Sequence, residues 1–322
     1  MHKKDINYNF YCYAKVLVFV AIAFLIYGFF LNFSNNNSVD LNLNSDNNFD
    51  YTSVDIHNDK NKVKKDNPNN SNLKGNSTDQ RTEYYERLYE IDEKNDLLRK
   101  KIKDKYNIDV KYGQETFGYE VGEMGVTPIT DSFLISTSLD KLYKALSLYP
   151  DGFFQEIRKG GIPLTVYLID EFSVDGVTGV TDSNNYFANI VIAIQYSFEE
   201  TFYHESYHYI ERYMLKRGLN FNSWNNYNPV NFRYDRNQEN AIPTYSYNRM
   251  FSEDSYFVND YAQTDASEDR ASTFEYMMDS TKASCLNYGK PIWKKAKLIS
   301  NTIEATFKTV NPSTTEYWER FL

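Results

Sequence analysis

Cysteine and histidine are scarce in this 322-residue chain, which has 2 of the first and 4 of the second. Cys12 precedes a long apolar run and Cys285 stands alone far downstream, so no disulfide framework can be built. Positive charge is also short. With 35 Lys and Arg against 44 Asp and Glu, the net charge is −9, which argues against nucleic acid as a partner. A glycine-rich phosphate loop is missing as well.

Two of the four histidines nevertheless fall in one window, His204-Glu205-Ser206-Tyr207-His208, and the others, His2 and His57, lie in the N-terminal region not expected to fold. The window spells H-E-x-x-H, in which two imidazoles one helical turn apart grip a zinc ion and the glutamate works on its water. Positions i and i+4 share a helix face, so both rings can reach one ion. The context predicts that helix. A β-branched run at Asn189–Ile194 reads as a buried strand. Phe198 to Lys216 then carries Tyr203, Tyr207, Ile210 and Met214 at core-facing spacing, with Glu199 and Glu200 in its first turn and Gly218 past its end.

A catalytic zinc needs three protein ligands and an open position. No histidine follows His208, so the third ligand must be a carboxylate or Cys285, which has no recognisable ligand context. Glu268 is the best-placed carboxylate, at the start of a second predicted helix with Ala271, Phe274 and Met278 at core spacing. Asp269 and Glu275 are the fallbacks. A competing reading makes Asp265 and Glu268 a capping box, with the glutamate only satisfying backbone donors.

An H-E-x-x-H helix followed some sixty residues later by a helix bearing a glutamate resembles the gluzincin zinc metallopeptidases. The run Tyr261…Glu268-Asp269-Arg270-Ala271 is similar to the secreted bacterial branch that includes the catalytic domain of anthrax lethal factor and the proline–proline endopeptidases. The resemblance implies a zincin-like, two-lobed α+β domain. A small mixed sheet and the active-site helix would form the first lobe, and helices the second. It also implies that Tyr261, seven residues before Glu268, helps stabilise the oxyanion; failing Tyr261, Arg270 is our candidate donor. Many gluzincins carry an aspartate four residues after the glutamate ligand to hold a histidine. Ser272 stands there, leaving Asp269, Glu275 or a backbone carbonyl for that task.

The remaining segments predict where such a domain sits. Residues 16–31 are uncharged and apolar, follow Lys3, Lys4 and Lys15, and would span roughly 24 Å as a helix. No small-x-small cleavage site follows, so 15–33 reads as a signal anchor in preference to a cleaved signal peptide, with 1–14 cytoplasmic. Residues 34–80, dominated by Asn, Ser, Asp and Lys, predict a disordered tether, and 81–322 the folded domain. Within it we expect helices over 82–106, 139–148, 153–158 and 291–309, a short one over 314–321, and a strand at 163–169. Residues 219–260 read as a long loop that either shapes a substrate cleft or is a plain surface excursion.

The expectation is an exported, membrane-anchored zinc endopeptidase acting on protein or peptide substrates. His204, His208 and Glu268 would be the ligands of one Zn²⁺, Glu205 the base and Tyr261 the oxyanion donor. The alternative is a tethered surface protein with a structural or vestigial zinc site, recognising a partner through 219–260. A cell-wall hydrolase is a weaker third, because no wall-binding module is seen.

Overall fold

The two runs richest in branched apolar residues become the middle of a sheet. Leu164–Phe172 (β4) and Ala188–Ala193 (β6) pair in parallel, from Leu164 opposite Ala188 to Ile169 opposite Ala193. Both faces are covered, which is why these strands read as continuous apolar runs. Val166, Leu168, Ile190 and Ile192 enter the main core, while Tyr167, Ile169, Val191 and Ala193 enter a smaller one behind the sheet.

This computed structural model describes residues 76–236, 256–286 and 288–322, all within one compact unit, Ser71–Leu322. The expected anchor at 15–33, the tether as far as residue 75 and the segment 237–255 lie outside the described residues. Among those described, no helix is long and apolar enough to cross a membrane.

Four further strands complete the sheet: Asp109–Lys111 (β1), Glu120–Val121 (β2), Met124–Pro128 (β3) and Gly179–Ser183 (β5). The order is β2-β3-β4-β6-β5, with β1 parallel to the start of β4. β5 is antiparallel to β6 and forms the edge. None of the four was predicted. Each is short and only weakly strand-forming by composition; pairing with a central strand holds β1, β3 and β5 in place, and pairing with β3 holds β2.

The helices follow the predicted order with shifted ends. Asn76–Tyr106 (α1) begins inside the stretch expected as tether, since an established helix propagates cheaply through polar residues. Ser132–Leu146 (α2) starts earlier than the periodicity indicated because the Asp131 carboxylate accepts from the Phe133 and Leu134 amides. Phe153–Lys159 (α3) and Phe198–Lys216 (α4) lie where expected. Gly218 takes φ +86° just past α4, and the Leu219 amide closes back on the Met214 carbonyl. Ala266–Met278 (α5) and Pro291–Thr306 (α6) follow, and the C-terminal helix expected over 314–321 reduces to one turn at Tyr317–Glu319. The architecture is α+β: a small mixed sheet with α1 to α4 up to the end of the H-E-x-x-H helix, and helices after it.

α4 is buried around most of its circumference, which fixes its rotation. The Tyr149 hydroxyl lies 2.8 Å from Ser206 Oγ, and the Tyr209 hydroxyl donates to the Ile162 carbonyl at 2.7 Å. Tyr207 packs against Phe274 of α5. With these contacts made, the remaining face of α4 points towards β5 and α5, and that face carries Glu205, His204 and His208.

Candidate metal centre

The two imidazoles and Glu268 converge. His204 Nε2 is 3.3 Å from His208 Nε2, and Glu268 Oε2 is 3.0 Å from the first and 3.3 Å from the second. Among the described residues this is the one group of three or more potential ligands whose donor atoms lie within 4.8 Å of one another. The spacing fits an ion. Zinc bonds of about 2.0–2.1 Å at tetrahedral angles separate neighbouring donors by about 3.3–3.4 Å. Two imidazole nitrogens and one carboxylate oxygen also form the His₂Glu donor set of a catalytic zinc.

Each imidazole is held from behind. Glu275 Oε2 lies 3.6 Å from His204 Nδ1, and Lys282 reaches Glu275 at 2.9 Å and Glu200 at 2.6 Å. Ser267 Oγ lies 3.3 Å from His208 Nδ1 and donates to Glu211 at 2.9 Å, while Arg270 pairs with the other oxygen of Glu211. Both histidines are thereby oriented with Nε2 towards Glu268. We expect Glu275→Gln and Ser267→Ala each to weaken zinc affinity about 10- to 100-fold, read by competition with a chromophoric chelator. Unchanged affinity in both variants would remove these groups from ligand orientation.

Glu205 is buried beside the pair. Its Oε2 lies 2.7 Å from Thr181 Oγ1 on β5, a hydroxyl that is also 2.9 Å from the Glu205 carbonyl. The strand comes this close because residue 179 is glycine. A Cβ there would meet Thr201 Cγ2 at 2.5 Å and Glu205 Cγ at 2.9 Å. The half-exposed Tyr261 sits in a turn just before α5, with its ring 5.8 Å from that of His204. Burial, followed by the nearby Glu268 and Glu205 charges, raises its pKa well above the ordinary phenol value, so the hydroxyl keeps its proton. Two hollows flank the centre: one of about 370 Å³ towards the C-terminal end of α4, and one of about 520 Å³ towards its start.

Several expectations need correction. Glu268 is turned to the histidines, and Asp265 alone caps α5 by accepting from the Ser267 amide, so the capping-box reading fails. Asp269, a fallback ligand, points the other way because successive helical residues diverge by about 100°. It is fully buried and accepts from Trp224 Nε1 (2.8 Å), the Tyr234 hydroxyl (2.7 Å) and Lys295 Nζ (2.7 Å). Arg270, the substitute oxyanion donor, is committed to Glu211 and lies over the Phe221 and Trp224 rings. Cys285 is buried apart from the ligand group, and burial pushes its thiol up to about 12. The described parts of the long loop, 219–236 and 256–260, bury Trp224 and Phe257 and line neither hollow. Ser272, at the departure from the gluzincin pattern, is buried with its hydroxyl unpartnered, and Glu275 stands at the histidine instead.

Protons occupy the centre when metal does not. Burial disfavours the His204 cation, but hydrogen bonds to Glu268 and Glu275 outweigh it and raise His204 to about 10. Burial likewise opposes the Glu268 carboxylate, and the two histidines override it, holding Glu268 well below its ordinary value. In the metal-free protein this pairing stabilises fully between pH 4.5 and 6.5, the unperturbed values of the two groups, and is lost as pH rises through about 10. His204 therefore carries a proton near pH 7 that zinc must displace. Titrating the metal-free protein with zinc at pH 7 is expected to release about one proton per ion, seen as a binding enthalpy that changes with buffer ionisation enthalpy. An enthalpy independent of buffer would contradict a protonated His204.

No family model and no curated protein sequence matches the chain. A solved structure from Bacteroides caccae, of a protein described as a zinc-binding metallo-peptidase, is similar to it at 18% identity. The match has a TM-score of 0.45 and covers 68% of this chain and 87% of that one. The chemistry of the centre is accordingly read from its own geometry.

Proposed function

We propose that the chain is a zinc-dependent endopeptidase with His204, His208 and Glu268 as ligands of one ion. The observation that carries this reading is the convergence of three donors, with a second carboxylate, Glu205, facing the same hollow and belonging to no ligand group. Structural zinc sites are closed by four protein ligands, whereas a site with three leaves a position for chemistry. That favours an enzyme over a vestigial or structural centre.

When bound, zinc supplies Lewis acidity to a substrate carbonyl oxygen and to a water molecule. The chain's own groups do the rest. Glu205 takes a proton from the attacking water and delivers it to the leaving amine nitrogen. Thr181 Oγ1, donating to Glu205 Oε2, steadies that carboxylate for the transfer. Tyr261, held protonated, donates to the developing oxyanion. Glu275 and Ser267 keep the imidazoles aimed. The edge strand β5, whose free side borders both hollows, offers backbone groups to an extended peptide.

The likeness of Tyr261…Glu268-Asp269-Arg270-Ala271 to the lethal-factor and proline–proline endopeptidase branch supports a secreted bacterial peptidase. A preference for proline rests on that resemblance alone. The lysine-flanked apolar run at 16–31 supports export with the N-terminus retained in the membrane. The test is exposure of the full chain to a diverse peptide pool, with and without a chelator and after zinc is restored. Stoichiometric zinc without cleavage of any peptide would sink the endopeptidase and favour the binding protein.

A further inference from the structure

The hollow at the C-terminal side of the centre is lined by an arginine that forms no ion pair with any described residue. Arg212 lies four residues after His208, hence on the same face of α4, one turn or about 6 Å further along. It lines the same hollow as Glu205, His208 and Glu268. Its Nε is buried and has no hydrogen-bond partner, and among the described residues its guanidinium pairs with no carboxylate. The side chain is half-buried, and a donor shielded from water without a partner is costly unless something enters to pair with it.

The carboxylates within reach are already engaged. Glu268 belongs to the two histidines, Glu205 accepts from Thr181, and both oxygens of Glu211 are taken by Ser267 and Arg270. The hollow's remaining walls mix Leu215 of α4 and Val180 of β5 with the hydroxyl-bearing Ser183 and Tyr261, and bring no further charge. A planar guanidinium with free donors suits a carboxylate, which it can bind with two parallel hydrogen bonds.

We infer that Arg212 is a specificity-determining residue that binds a carboxylate of the peptide substrate. The inference rests on the peptidase reading above. At about 3.3 Å per residue of extended chain, a group held one helical turn from the ligands lies about two residues from the cut. The carboxylate comes either from an acidic side chain there or from a free C-terminus close to the scissile bond. Amidated and free-acid peptides separate the two sources.

The experiment uses the zinc-loaded full chain and paired synthetic peptides differing only by Glu against Gln at each position around the cut. Each pair is made with an amidated and with a free C-terminus. Turnover is followed with the natural sequence, and binding by fluorescence anisotropy in a Glu205→Gln background. The natural sequence is expected to favour the carboxylate at one position by about 10- to 100-fold in kcat/KM, the size of a charge-assisted hydrogen bond. In Arg212→Gln the ratio falls to near one, Arg212→Lys keeps part of it, and Arg212→Glu favours lysine at that position. A preference confined to free-acid peptides and lost in Arg212→Gln assigns the site to the terminus. No carboxylate preference, or one that survives Arg212→Gln, overturns the inference while cleavage of the pool still upholds the peptidase. Arg212-dependent binding of acidic peptides without any cleavage does the reverse.

Discussion

Glu205→Gln is expected to leave zinc bound at one ion per chain and to lower kcat about 10²- to 10⁴-fold, the range for loss of a general acid–base group. Glutamine matches glutamate in size, and its amide oxygen can still accept from Thr181 Oγ1, so β5 should keep its place against α4. Glu205 is no part of the donor group formed by His204, His208 and Glu268, so metal content should not follow activity down. His204→Ala and His208→Ala differ, because each removes a ligand and zinc and turnover are lost together. Metal analysis beside peptide hydrolysis separates the two kinds of variant. Undiminished hydrolysis by Glu205→Gln would take this residue out of the chemistry.

Lys295→Met is expected to destabilise the fold by about 3–5 kcal/mol, the cost of leaving one member of a buried ion pair without the other. Lys295 and Asp269 are both fully buried and 2.7 Å apart. Burial pushes the Asp269 carboxyl up and the Lys295 ammonium down, each against the attraction of its partner. Lys295 also donates to the Tyr256 carbonyl and lies 3.9 Å from the Phe257 ring centroid. Without it, Asp269 stays buried with only Trp224 and Tyr234 as donors. The melting temperature should fall by about 6–20 °C in thermal unfolding followed by circular dichroism. Adding Asp269→Asn should restore most of the loss, since an amide oxygen still accepts from those two donors without a charge. A double variant no more stable than Lys295→Met would show that the damage is packing and not the stranded charge. Because Asp269 adjoins Glu268, the single variant should also loosen zinc binding.

How far the centre could be read in advance differs residue by residue. His204, His208 and Glu205 were legible because a helix brings i and i+4 together whatever surrounds it. Gly218, Glu199 and Glu200 marked the ends of that helix for equally local reasons. Glu268 was legible only as the best of several acids. Helical phase sends it to the histidines and Asp269 into the core, and that phase depends on Trp224 and Lys295 already being packed beneath α5. Glu275, read both as a fallback ligand and as one of the groups that could hold a histidine, stands at His204 Nδ1, two turns along the same face of α5. Arg212 had no signal of its own, since an arginine late in an amphipathic helix ordinarily faces solvent.

β5 shows the same division most sharply. Gly179–Ser183 has too little alternation to declare itself a strand, yet it supplies the Thr181 hydroxyl at Glu205 and the edge beside the cleft. Its place comes from pairing with β6 and from a glycine that leaves room for the Thr201 and Glu205 side chains. Periodicity, capping and ligand spacing are properties of neighbouring residues, so the amino-acid order alone determined the helix that carries His204, Glu205 and His208 on one face. Which acid completes the centre, what steadies each ring and where an unpaired cation waits were decided by contacts between distant segments, which exist only once the sheet and helices have packed.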